Sequence, residues 1–370
     1  MHERVGGNDE RRSTGASVTL RDVARQAGVS ITTVSRTLNG RETGVPIREE
    51  TTRRILAVAA ELGYKPNLLA RGLRGSPSSL IGVIVRDVAD PFHTQVLRGV
   101  NEAARGRDYR LFLGHVDYRA DVALSYGSMF ERSHADGIIV IGDLEGASGT
   151  IGVLAEQHGS IVGVTDRTGP REIPGVYSDG VMGSRLVMEH LWGLGHRRIS
   201  CVSDLQTSDG RQRIELYEAF MRSHGADEAI RVEIIESPGA PEPAYQAGRR
   251  LFAGGPGAAE HDATAIFATS DTIAIGLIRA AAEVGIVIPR DLSIVGYDDI
   301  DIVGYTIPPL TTVSQSGPEM GRIAAEMLFE MIDTKRERSA IADVIVPPRL
   351  IIRESTGPAP VRTGSPATNR

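Results

Sequence analysis

Between residues 18 and 64 apolar positions recur at helical spacing in three short stretches, and from about residue 80 the pattern becomes short continuous apolar runs separated by amphipathic segments. In the first stretch Leu20, Val23, Ala24 and Ala27 share one face. Thr19 can cap the free amides there, and Asp22 at the third helical position can bond back. The helix is predicted to stop at Gly28, where a glycine tolerates the left-handed turn. Ser30 then caps a second helix, Ile31 to about Leu38, with Val34 and Leu38 pointing inward. Ala24 is small where the two helices must cross. A third helix, about Arg48 to Leu62, closes the core through Ile55, Ala59 and Leu62. These signals within one short window predict a helix-turn-helix.

The later runs Leu80–Val85, Gly137–Ile141, Ile199–Val202, Ala265–Ala268 and Leu292–Val295 read as buried strands alternating with helices, the mark of a parallel α/β sheet. About ten strands over some 270 residues predict two such sheets. The fold class is therefore a small all-α helix-turn-helix head followed by an α/β body of two Rossmann-like lobes. Residues 1–17 and 355–370 are rich in Gly, Ser, Thr, Pro and Arg without periodicity and are expected to be disordered tails. The head spans 18–64, a hinge 65–78 and the body 79–354.

The net charge of −6 is unevenly placed: residues 1–75 carry thirteen Lys and Arg against eight Asp and Glu, +5, leaving −11 for the rest. A basic head on an acidic body suits a protein of which only the head should touch a polyanion. Hydrophobic content of 41% is enough for ordinary cores. The single cysteine, Cys201, lies in an apolar run with no activating partner in sequence, so a buried structural thiol is expected rather than a nucleophile, in a reducing compartment. No apolar run approaches a membrane span and the polar N-terminus lacks a secretory core, which predicts a cytoplasmic protein without membrane association. There is no Walker loop, dinucleotide glycine fingerprint, His-Glu-x-x-His or nucleophile elbow. His190 and His196 are six apart and share no helical face. Neither an enzyme, a metal site nor a cofactor is expected.

Val18 to Ser30, Thr33 to Asn39, Gly63 to Asn67 and Leu69 to Leu73 together resemble the LacI/GalR family of regulators, and the likeness extends over about residues 18–355. Gly40–Glu50 departs from it by being longer. The resemblance implies that the second helix enters the major groove of a pseudo-palindromic double-stranded operator. Ile31, Thr32 and Arg36 would then face base edges, and Thr19, Ser30, Thr33 and Asn39 would hold the backbone. The chemistry suits those positions: arginine pairs with guanine, threonine bonds to several bases, and isoleucine meets a thymine methyl. A phosphate contact is the equal alternative for Arg36. In the hinge, Leu73 takes the place of the family's minor-groove wedge, with Ala70 and Arg71 beside it.

For the body the resemblance implies periplasmic-binding-protein-like lobes crossed three times by the chain, about 79–178 with 315–340 and 179–314 with 341–354, with the effector between them. Asp90, Phe92, Asp166, Arg213, Ser270, Asp298 and Gln315 are the expected effector contacts, mostly at carboxyl ends of strands. Arg213 and Asp298 would form a polar clamp suited to a carbohydrate. Asp271 and Asp299 read equally well as helix caps, His196 as buried structure and Trp192 as packing. Several departures blur the ligand: Leu216 where the family has glycine, Gly317 where relatives carry a larger side chain, no stacking aromatic in Pro238–Pro243, and Asp90 in place of a neutral amide. They predict a pocket wider or more averse to anions than usual, favouring a neutral or cationic effector over a phosphorylated one. The expected protein is a homodimeric repressor controlled by a sugar or sugar derivative. A transport-type sugar-binding protein and a nucleobase-responsive regulator are the alternatives.

Overall fold

The computed structural model describes residues 18–39, 46–64, 78–144, 149–166, 173–235, 240–255, 262–335 and 340–360. The chain divides into two units, residues 1–76 and 77–370.

The first unit contains α1 (Leu20–Ala27), α2 (Ile31–Asn39) and α3 (Glu49–Glu61). The Thr19 side chain accepts from the Asp22 N–H (3.4 Å) while Asp22 Oδ2 accepts from the Thr19 N–H (3.0 Å), closing the reciprocal cap read from sequence. Gly28 takes φ +64°, a left-handed conformation that lets the chain turn at once into α2. The core comprises Val23, Ala24, Ala27, Val34, Ile55 and Ala59, with Leu38 and Leu62 packed around it. The hinge residues Ala70, Arg71 and Leu73 lie outside the described residues.

The second unit is built on two six-stranded sheets. In the first lobe β1 (Leu80–Val85), α4 (Pro91–Arg105), β2 (Arg110–His115), α5 (Ala120–Arg132), β3 (Gly137–Ile141), α6 (Thr150–Gln157), β4 (Ile161–Asp166) and β5 (Gly175–Ser178) alternate. The second lobe takes α7 (Gly180–Gly193), β6 (Ile199–Asp204), α8 (Ser208–Ser223), β7 (Arg231–Ile235), α9 (Pro241–Leu251), β8 (Ala265–Ala268), α10 (Asp271–Glu283), β9 (Ser293–Asp298) and β10 (Thr311–Ser314). The chain returns to the first lobe as α11 (Gly317–Thr334) and β11 (Val344–Val346), then closes on the second as β12 (Arg349–Ile351). Strand orders are β11-β5-β4-β3-β1-β2 and β12-β10-β9-β8-β6-β7, parallel throughout except that β12 runs antiparallel to β10. Helices on both faces bury β3 completely, which is why Gly137–Ile141 carries no alternation. Where α4 crosses α11, a Cβ at Gly99 would run into the Pro318 carbonyl and one at Gly321 into that of Val96. No helix among the described residues is long and apolar enough to cross a membrane.

Two boundaries differ from expectation. Residues 341–354 do not all join the second lobe: β11 pairs with β5 in the first sheet, Val344 opposite Val176, so the third crossing falls after Val346. Residues 355–360 are not tail. Ser355 is fully buried, its hydroxyl donating to the Ile294 carbonyl (2.6 Å) and accepting from the Thr311 N–H (2.8 Å), and Ala359 N–H reaches the Leu194 carbonyl (2.9 Å). A segment of polar composition is held here because its hydroxyl satisfies backbone groups of two buried strands.

Candidate functional site

On the first unit, Ile31 and Thr32 stand exposed on the opening turn of α2, with Ile31 at 42% exposure despite its apolar side chain. Arg36, one turn on, is half-buried. Ser30 and Thr33 hydroxyls bond each other (2.8 Å), and Ser30 Oγ accepts the Thr33 N–H (3.1 Å), so both also build the helix start. Thr19 is engaged in its cap. Asn39 ends α2, and its side chain lies outside the described residues.

In the second unit, the carboxyl ends of β1, β3, β4, β6, β8 and β9 face a cleft between the lobes that encloses about 680 Å³ including its open mouth. Six of the seven expected effector residues line it: Asp90, Phe92, Arg213, Ser270, Asp298 and Gln315. Asp166 ends β4, and its side chain lies outside the described residues.

Arg213, on α8, is 2% exposed. Its guanidinium lies 3.7 Å from the centre of the Tyr297 ring, donates to the Thr269 carbonyl (2.6 Å) and sits 3.4 Å from Asp209. Asp298 ends β9 with φ +114°, and its Oδ1 accepts from Gln315 Nε2 (2.7 Å). Burial pushes the Asp298 carboxyl well above the usual range despite the nearby Arg213 charge. Burial would raise Asp209 too, but the guanidiniums of Arg213 and Arg86 together hold it below its ordinary value. Asp204 is raised by burial and by the Asp209 charge, while its Oδ1 accepts the N–H groups of Gln206 and Thr207 (both 2.9 Å).

Two expected contacts also carry structural duties. Asp90 Oδ1 caps α4 through the Phe92 N–H (2.9 Å), and Ser270 caps α10 through the Ile273 N–H (3.2 Å). The side chains of Asp271 and Asp299 bond elsewhere than to helix ends. Asp271 accepts from the Thr312 hydroxyl (2.5 Å) and the Ile300 N–H (2.9 Å), and Asp299 pairs with Arg353 (2.7 Å). His196 is buried against Thr264, Ser293 and the Gly357 carbonyl. Trp192 packs with Phe220 and His224, away from the cleft. Cys201 is buried, which pushes its thiol up and leaves it inert.

Arg86, Tyr118, His93 and Asp209 were missed by sequence reasoning. Arg86 follows the apolar run of β1 directly, so its place at a strand's carboxyl end was a usable signal. Buried between the lobes, it lies 3.8 Å from Asp90 of its own lobe and 3.8 Å from Asp209 of the other. Tyr118 gave no such signal: consecutive left-handed residues, Asp117 (φ +47°) and Tyr118 (φ +60°), bring its ring 5.5 Å from the Arg86 guanidinium. Burial pushes its hydroxyl up to about 12, so it remains a donor. Burial likewise keeps His93 below the ordinary imidazole range. The widening expected from Gly317 is not found, because a Cβ there would already meet Gln95 Cβ at 3.1 Å and Phe92 Cε2 at 3.2 Å. No group of three or more His, Cys, Asp or Glu among the described residues is placed to hold a metal ion.

Residues 19–67 match the family described as "Bacterial regulatory proteins, lacI family", and residues 188–356 match "Periplasmic binding protein-like domain". The HTH-type transcriptional regulator DegA of Bacillus subtilis (strain 168) is 32% identical over 346 residues, 92% of this chain and 98% of that protein. The HTH-type transcriptional repressor PurR of Haemophilus influenzae (strain PittEE) is 31% identical over 341 residues, 91% of this chain and 98% of that protein. Among solved structures, the lac repressor dimer bound to operator and the anti-inducer ONPF shares the fold with a TM-score of 0.79 at 24% identity, covering 92% of this chain and 100% of that one. A LacI family transcriptional regulator from Enterococcus faecium with bound ribose gives a TM-score of 0.66 at 26% identity over 75% of this chain and 99% of that one.

Proposed function

This chain belongs to the lacI family of bacterial regulatory proteins and is a DNA-binding transcriptional regulator; on that footing we propose that it is a homodimeric repressor of a pseudo-palindromic operator, controlled by a sugar or sugar derivative held between its lobes. Its relatives are transcriptional regulators rather than enzymes. They match it along nearly their whole length, head included, which sets aside a transport-type binding protein. The observation that carries the sugar reading is the Arg213–Asp298–Gln315 group beside Tyr118 and Phe92 in one cleft. Donors and acceptors set among aromatic faces suit a compact polyhydroxylated ring. The ribose found in the Enterococcus faecium relative is consistent with it.

A gel shift on the DNA flanking the gene, with and without D-ribose, D-glucose, cellobiose or hypoxanthine, tests the reading. A sugar should change the operator affinity at least about tenfold. A response to hypoxanthine alone would replace the sugar with a nucleobase. In the same assay Arg36→Ala should weaken binding on the order of 10- to 100-fold and relax preference at one guanine of each half-site. Uniform weakening across sequences would instead place Arg36 on a phosphate.

The second subunit is proposed to cover Ile302, Tyr305 and Ile307, which are 56%, 82% and 90% exposed within six residues. Isolated apolar residues need no explanation, but three this exposed together mark an interface. Tyr305→Asp should yield monomers in sedimentation and weaken operator binding, since one head engages one half-site. A variant that still sediments as a dimer would move the interface elsewhere.

A further inference from the structure

Two buried polar atoms in the interlobe cleft have no hydrogen-bond partner among the described residues, and they are chemically complementary. One is a donor, Arg86 Nε, carried by the first lobe. The other is an acceptor, Gln315 Oε1, on the chain crossing after β10. Both residues are at least nine-tenths buried, Arg86 at 6% and Gln315 at 2% exposure. The Arg86 Nη atoms stand 3.8 Å from Asp90 and from Asp209, within ion-pair range but beyond hydrogen-bond range. Gln315 spends its amide N–H on Asp298, leaving its oxygen to accept. Buried donors and acceptors in native proteins are almost always satisfied, so a pair left open in a ligand cleft points to a ligand that completes it.

Resting on the reading of this cleft as the effector site, we propose that Arg86 and Gln315 select an uncharged polyhydroxylated ligand, Arg86 Nε–H donating to one of its oxygens and Gln315 Oε1 accepting from one of its hydroxyls. A carboxylate or phosphate is disfavoured. The Arg86 charge is already balanced by Asp90 and Asp209, and Asp209 also faces the Arg213 guanidinium. A hydroxyl fills both open positions without adding charge, because it donates and accepts. Arg86 is then the discriminating residue of the first lobe. Because it also faces Asp209, the ligand it holds bridges the lobes.

The test is isothermal titration calorimetry on the full chain with D-glucose, D-ribose, D-gluconate, D-ribose 5-phosphate and hypoxanthine. At least one neutral sugar should bind, about tenfold or more tighter than its acid or phosphate. Arg86→Lys keeps the charge between Asp90 and Asp209 but removes the planar Nε donor. It should lose about 10- to 100-fold in affinity for that sugar with an unchanged melting temperature. Gln315→Met should lose a similar factor. Sugar binding that survives both substitutions overturns the assignment of these two residues while leaving the sugar reading intact. Gluconate or the phosphate ester binding more tightly than its neutral parent overturns the neutral-ligand claim. Binding of hypoxanthine alone, or of none of the five, overturns both.

Discussion

Replacing Ile55 by alanine is expected to abolish operator binding while leaving the melting of the body unchanged. Ile55 is fully buried at the centre of a core of six residues, three of which are alanines. Removing three carbons from such a site costs about 2–5 kcal/mol, transfer and cavity terms together. A helical domain this small holds only about 3–5 kcal/mol in its core, so the loss is comparable to its whole stability. The body has its own cores and shares none of these residues. Calorimetry should show the main transition unmoved, and a gel shift should show no complex at concentrations that saturate the parent. Retention of operator affinity within about threefold would mean that DNA binding itself folds the damaged head.

Arg213→Met is expected to produce the opposite phenotype: operator binding kept, response to the effector lost. The buried side chain stacks on Tyr297, donates to the Thr269 carbonyl and balances the half-buried Asp209. Losing Arg213 leaves Asp209 facing only Arg86, 3.8 Å away, and removes the stacking and the bond to Thr269, which lowers the stability of the body. Part of that loss should appear as a lower melting temperature of the body. The rest should appear as the disappearance of the ligand-induced rise in melting and of any ligand effect in the gel shift. A variant that melts lower yet still answers the same sugar at the same concentration would make Arg213 a structural residue only.

These two substitutions divide the molecule where its sequence signals divide. Thr19, Asp22, Gly28 and Ser30 act on backbone within four residues of themselves, so the start of α1, the turn and the start of α2 could be read directly. The buried strands Leu80–Val85 and Gly137–Ile141 were equally legible, since a strand covered on both faces is continuously apolar. The cleft was legible only in part. Asp90, Phe92, Arg213, Ser270, Asp298 and Gln315 converge as expected and Arg86 stands at a legible strand end, whereas its facing Asp209 and the turn that carries Tyr118 required knowing which strand ends lie opposite one another.

Whatever depends on neighbouring residues was written in the chain itself: three helices with the caps of the first two, the alternation of strand and helix, the charge division between head and body, and the strand ends where ligand-facing side chains lie. Tertiary structure alone decided what depends on distant partners. It placed the three-residue strand Val344–Val346 beside β5 rather than in the second lobe, and it buried Ser355 between strands some forty and sixty residues away. It also set Arg86 midway between Asp90 and Asp209, which are 119 residues apart in sequence. Local backbone preferences carry no information about such pairings, because the free energy that selects them comes from burial and charge balance among segments that meet only once both sheets have formed.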